Sequence, residues 1–327
     1  MKLKLALVLV LVLVLDLGRA WATTLVPVAS SGRIEVACEP GLESTARELA
    51  GDADAELGKI AADLPDLPVP RTVHVQLVRD ASSLASVAPA GRGAPSWAIG
   101  VAYPDLGVVS IALRRNGQVS NVSSTLRHEL AHLALGAALG DRAPHWLQEG
   151  FAYQHSGEWS WDRTETLAGM AWFGGIVPLE QLDGSFPAEE APANRAYAES
   201  YDFVGYLSRR GRWDDGADRG NRWPFRQWLK AIGQGATLDQ ASVKAFGKPL
   251  RALFDEWKDS LSDRYLLAPI GLIGLAVWIL CALLLTIAFW RRRRINRRRL
   301  AQWDREERAA DAAAARLRPV IVPPYVP

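Results

Sequence analysis

Residues 123 to 136 read SSTLRHELAHLALG, and within them His128, Glu129 and His132 make the pattern His-Glu-x-x-His. On a helix, residues four apart lie one turn apart on the same face, so His128 and His132 can hold one metal ion together. Glu129 is turned about 100° from His128 by the 3.6-residue period and sits beside the metal, where it can accept a proton from a metal-bound water. Two histidines also share a helix face without any ligand. The pattern therefore needs a third donor, a fold and a compartment before it carries a function.

Zinc requires a third protein ligand and an open fourth position for water. The longer pattern HExxHxxGxxH would place Gly at 135 and His at 138, where this chain has Leu135 and Ala138. That solution fails. The other common one takes a glutamate from a following helix, and Glu149 lies beyond the turn GDRAP at 140–144. Two antiparallel helices joined there can bring Glu149 beside the histidine pair.

HELAH at 128–132 followed by PHWLQEGFAY at 144–153 resembles the gluzincin metallopeptidases, and more closely the bacterial peptidase MA-like domains. AYAESYDFVGYL at 196–207 and the segment 229–257 are similar to the helical half of those domains. The resemblance covers about residues 33 to 264. It implies one Zn2+ on His128, His132 and Glu149, with Glu129 as general base and proton shuttle. It also implies an oxyanion donor from a later helix, for which Tyr197 is the candidate and Tyr201 the runner-up. Leu126, Leu130, Leu133, Trp146 and Phe151 would hold the two helices together, and Gly150, beside the third ligand, would permit close helix approach. Thermolysin-like members carry Asp four residues after the ligand Glu, and this chain has Tyr153 there, which leaves the partner of the zinc histidines unassigned. His145 and His155 flank Glu149 and could be proposed as ligands; His145, four positions before it, could sit in the cleft but is expected at the surface. An edge strand above the metal pairs with extended substrate in related peptidases; Trp97 to Tyr103 is the equivalent stretch, against the plainer expectation of an ordinary strand.

Outward from the motif, RTVHVQLVRD at 71–80 alternates Val73, Val75 and Leu77 with His74 and Gln76, the pattern of a half-buried strand. Arg33 to Cys38 reads as a short strand, Gly41 to Leu64 as an amphipathic helix, and Ser96 to Leu113 as a hairpin turning at Pro104 to Gly107. From Asn121 onward the pattern is helical, with Asn121 or Ser123 as cap and Gly140 as stop. Further helices are expected at 196–208, 224–232, 237–245 and 250–265. Strands with one helix come first and helices alone follow, which is an α+β plan: a zincin-like domain with a small N-terminal mixed sheet and a helical C-terminal half.

The ends of the chain set the expected compartment. Lys2 and Lys4, the apolar run Leu5–Leu15 and AWA at 20–22 make a signal peptide over residues 1–22. Leu266 to Trp290 carries no charge and is followed by RRRRINRRR at 291–299, the pattern of a transmembrane helix over 265–290 with its arginines inside. Residues 291–327, a basic and Ala-rich cytoplasmic tail, carry eleven basic and four acidic side chains, and residues 1–22 three and one. Of the net charge of +2, about −7 is thus left to residues 23–290, so the exported region makes no electrostatic case for nucleic acid. There are two cysteines, Cys38 and Cys281, and the second lies in the apolar segment, so no disulfide between them is expected.

Together these readings give a membrane-anchored zinc metallopeptidase over residues 23–264 of a bacterial-type cell membrane, with its catalytic domain periplasmic or extracellular. Its expected partners are a peptide or protein substrate and the membrane, through a single span. The alternative is a catalytically weak or inactive zinc-binding envelope domain that binds proteins through a cleft lined by some of its thirteen tryptophans.

Overall fold

A computed structural model describes residues 24–158, 160–184, 186, 190–213 and 224–317. The expected signal peptide at 1–22 lies outside the described residues. The chain divides into two compact units, one reaching Tyr265 and one beginning at Leu266.

The first unit opens with a small mixed sheet. Its strands are β1 (Val26–Ser31), β2 (Ile34–Cys38), β3 (Val73–Asp80), β4 (Gly100–Tyr103), β5 (Val108–Arg115) and β6 (Gln118–Val119). They lie in the order β1-β2-β3-β5-β4, with β6 on β5. β2 and β3 run parallel, joined through α1 (Glu43–Ala61), and β5 runs parallel to β3. Val73, Val75 and Leu77 are buried while His74 is exposed beside Glu35, so the alternation in β3 sends one side into the core. α1 covers that side with Ala46, Leu49, Ala50, Ala53, Leu57 and Ile60. β4 pairs antiparallel with β5 and ends the strand order, which leaves its outer edge open.

Helices alone follow: α2 (Val122–Leu139), α3 (His145–Ser156), α4 (Trp161–Phe173), α5 (Glu190–Trp213), α6 (Pro224–Gly233), α7 (Leu238–Phe246) and α8 (Leu250–Ser262). The Asn121 side chain caps α2 by accepting from the Ser124 N–H at 3.1 Å, and Gly140, at φ 56°, ends it. Pro144 precedes α3, and Gly157 ends it in the left-handed region at φ 69°. Aromatic side chains weld the helices together. Trp146 packs against Phe203 and Trp228, and Phe203 against Phe254 and Trp257. Trp146, Trp228 and Trp257 are fully buried, so these three tryptophans build core and line no cleft.

The second unit carries α9 (Ala268–Leu317). Here the expected fold class, α+β followed by one transmembrane helix, is corrected. The chain is mostly helical with a small mixed sheet, and no helix among the described residues is long and apolar enough to cross a membrane. The expected single-span membrane partner gains no support among the described residues.

Candidate metal centre

α2 and α3 bring the three expected ligands to one point. His128 and His132 stand one turn apart on α2 with their Nε2 atoms 3.1 Å from each other. From α3, Glu149 Oε2 lies 3.8 Å from His128 Nε2 and Glu149 Oε1 lies 3.7 Å from His132 Nε2. Ligands at about 2.0–2.1 Å from a tetrahedral zinc sit about 3.4 Å apart, so the set fits that ion. It is also the one group of three or more His, Cys, Asp or Glu among the described residues that could hold a metal.

Close helix approach makes this convergence work. A Cβ at Gly150 would lie 2.3 Å from the Ser200 carbonyl oxygen and 2.4 Å from Val204 Cγ2, so only glycine lets α3 lie against α5 here. Leu126, Leu130, Leu133, Trp146 and Phe151 are all buried around the ligand helices.

Electrostatics favour a bound cation. Burial, reinforced by His132 and Arg163, holds His128 well below the usual histidine range. Burial, with His145 adding to it, lowers His132 to about 4. Both imidazoles are therefore neutral at pH 7, which is the ligand form. Burial pushes Glu149 up to about 7. It pushes Glu129 up to about 8, with the Glu149 charge adding to it and a hydrogen bond from the Ala102 backbone opposing it. Two carboxyls desolvated together gain their charged forms most readily when a divalent ion joins them.

Glu129 is set against the open edge of β4. Gly100 to Tyr103 lie opposite Ile111 to Val108 of β5, and the Ala112 N–H bond to the Ile99 carbonyl sets the alternation so that the backbone groups of Gly100 and Ala102 turn outward, where Ala102 donates its N–H to the Glu129 carboxyl. At Gly100, an added Cβ would lie 2.6 Å from Glu129 Oε1 and 2.8 Å from Thr125 Cγ2. The stretch expected as a substrate-pairing strand thus borders the candidate base directly.

A family model described as the Peptidase MA superfamily matches residues 89–263. The chain belongs to the Peptidase MA superfamily. Solved structures similar to this Peptidase MA chain include native yeast LTA4 hydrolase, at 15% identity, TM-score 0.41, and 73% of this chain against 38% of that one. An M1 zinc metallopeptidase from Deinococcus radiodurans is similar at 18% identity, TM-score 0.41, and 73% of this chain against 50% of that one. The chain thus spans half or less of the length of these structures. No curated protein matches.

The tyrosines separate. Tyr197 borders the centre: its ring lies 6.0 Å from Tyr153 and 4.9 Å from Phe186, and burial, with the Glu149 charge adding to it, pushes its hydroxyl up to about 12. Tyr201 instead faces Arg163, whose guanidinium stands 4.8 Å over its ring. His145, expected at the surface, is half-buried with Nε2 4.0 Å from Glu149 Oε1. His155 turns away from the ligands to Asp63, at 3.3 Å. Tyr153 packs its ring edgewise on His128 at 4.6 Å. Both His145 and Tyr153 stand one turn from Glu149 on the same face of α3, a spacing visible in the sequence.

Proposed function

We propose that this member of the Peptidase MA superfamily is a zinc-dependent metallopeptidase that hydrolyses peptide bonds, with one Zn2+ held by His128, His132 and Glu149. One observation carries the reading. A buried carboxyl, Glu129, stands beside a metal-fitting His-His-Glu set and against a strand edge whose backbone is open to an extended peptide.

Bound zinc supplies a Lewis acid that polarises a carbonyl and acidifies water. The chain's own groups do the rest. Glu129 takes a proton from the attacking water, holds it on its carboxyl and passes it to the departing amine. The outward backbone groups of Gly100 and the Ala102 carbonyl, the Ala102 N–H being held by Glu129, align the substrate backbone as an added strand. Tyr197 donates its hydroxyl to the oxygen that gains charge as the carbonyl is attacked. The leader-like residues 1–22 support action outside the cytoplasm; a reporter fused after residue 264 that stayed in the cytoplasm would overturn that placement.

Peptide digestion and metal analysis of two variants test the mechanism. Glu129→Gln keeps zinc and loses cleavage, whereas Glu149→Ala loses zinc. A Glu129→Gln protein that digested peptides at the parent rate would refute the role of Glu129.

A further inference from the structure

Beside the metal centre, α4, α5, α8 and the residues just after α8 enclose a half-open cavity of about 510 Å³ whose charge is unbalanced. Three guanidinium groups line it, Arg163, Arg209 and Arg264, with a single carboxylate, Asp202. Arg264 pairs with that carboxylate at 2.6 Å and 3.0 Å, Trp257 Nε1 donates to it at 2.7 Å, and Arg209 reaches it only at 3.9 Å. Arg163 has no carboxylate in ion-pair range among the described residues. Its Nη2 donates to the Glu158 carbonyl at 3.0 Å, and its Nη1 is enclosed without a hydrogen-bond partner among the described residues. Its guanidinium stands 4.4 Å over the ring of Tyr153 and 4.8 Å over that of Tyr201. A half-buried guanidinium with one enclosed nitrogen, held by aromatic faces beside a cavity with surplus positive charge, is suited to a planar anion.

The cavity is coupled in space to the metal centre. Tyr153, under Arg163, packs its other contact on His128 at 4.6 Å, so one ring separates the guanidinium from a metal ligand. Roughly two to three residues of extended chain, at about 3.3–3.6 Å each, cover that span. We propose that Arg163 and its cavity form an anion-accepting substrate subsite that takes a peptide carboxylate, from an acidic side chain or the chain terminus, two to three residues from the scissile bond. The proposal rests on the peptidase reading. It gives the enzyme a preference that the ligand set alone does not: acidic or carboxyl-terminal segments over neutral ones.

The test uses the full-length, zinc-loaded protein and fluorogenic peptides in matched pairs. One pair differs by Glu against Gln at positions within three residues of the cleaved bond, and the other by a free against an amidated C-terminus. At least one pair is expected to be discriminated by roughly tenfold or more in kcat/KM, the scale of one charge-assisted hydrogen bond. Arg163→Gln collapses that ratio toward unity, mainly through KM, and Arg163→Lys restores part of it. Which pair responds identifies the carboxylate. The same pairs are also compared by fluorescence anisotropy, where the acidic member binds the parent roughly tenfold more tightly and loses that advantage in Arg163→Gln. Absence of cleavage with this binding difference intact overturns the peptidase reading and leaves the subsite standing. If the parent discriminates neither pair in cleavage or binding, or if folded Arg163→Gln and Arg163→Lys proteins both retain the full ratio, the subsite is refuted.

Discussion

Glu199 offers a sharp test of the packing around the centre. This α5 side chain is fully buried; its Oε1 accepts from the Val177 N–H at 2.8 Å, while Oε2 has no hydrogen-bond partner among the described residues. Desolvation raises its pKa from 4.5 to about 8, against the opposing pull of the Val177 hydrogen bond and Arg195. A carboxyl raised on folding contributes stability that is complete below its unfolded pKa and is lost as pH rises through the folded one. Each pH unit between 4.5 and about 8 therefore costs the native state about 1.4 kcal/mol, which makes about 3 kcal/mol at pH 7 and about 5 kcal/mol above pH 8. Glu199→Gln keeps the acceptor for Val177 and removes the titration. At pH 5 the neutral acid and the amide both leave one polar group unpaired, so the two proteins should agree within about 1 kcal/mol. At pH 8.5 the variant should be more stable by about 3–4 kcal/mol. Urea unfolding followed by tryptophan fluorescence at pH 5, 7 and 8.5 measures the difference, in which the shared titration of Glu129 and Glu149 cancels. Stability profiles that run parallel for parent and variant would refute the buried, unpaired carboxyl.

Three further outcomes concern the centre itself. Gly100→Ala brings a Cβ to within 2.6 Å of Glu129 Oε1, and should cut kcat roughly 100-fold while zinc content stays stoichiometric; loss of zinc instead would show that the strand supports the ligands and not the base. Gly150→Ala drives a Cβ against the Ser200 carbonyl oxygen at 2.3 Å, and should cost roughly 2–3 kcal/mol in denaturant melts, with weaker zinc binding as α3 and α5 part. Tyr197→Phe should lower kcat roughly 100-fold at little change in KM; an undiminished kcat in Tyr197→Phe, with the loss seen in Tyr201→Phe, would reverse the assignment.

How far these features were legible follows from which forces set them. The strands at β2, β3 and the β4–β5 hairpin, and the helices carrying the ligands, announce themselves through alternation, periodicity and caps such as Asn121 and Gly140, all of which act within a few residues. β1 was missed: its six residues VPVASS carry a proline and two serines, and it gains its place by pairing antiparallel with β2. α4 was missed as well, since only Leu167 and Met170 of its thirteen residues are buried, which leaves almost no apolar stripe to detect. The apolar segment after residue 265 shows the converse error. Composition there outweighed geometry, and the described helix is not long and apolar enough to cross a membrane.

The same division governs the site. His128, His132 and Glu149 follow from spacing along two helices, and the same spacing singles out His145 and Tyr153. With Glu149 they form a single stripe on α3, at i−4, i and i+4, and any helix that aims its central residue at a metal must aim the other two at its surroundings. Gly100 and Arg163 are of a different kind. The need for glycine at 100 arises only when β4 meets Glu129 from an element outside its own hairpin. Arg163 gains its meaning only when Tyr153 and Tyr201, from α3 and α5, close over its guanidinium. Local spacing therefore specifies what the metal would be held by, while tertiary approach specifies where the base stands and which substrate charge the cleft would accept. Gly100 and Arg163 are accordingly the positions at which substitution separates those functions from metal binding.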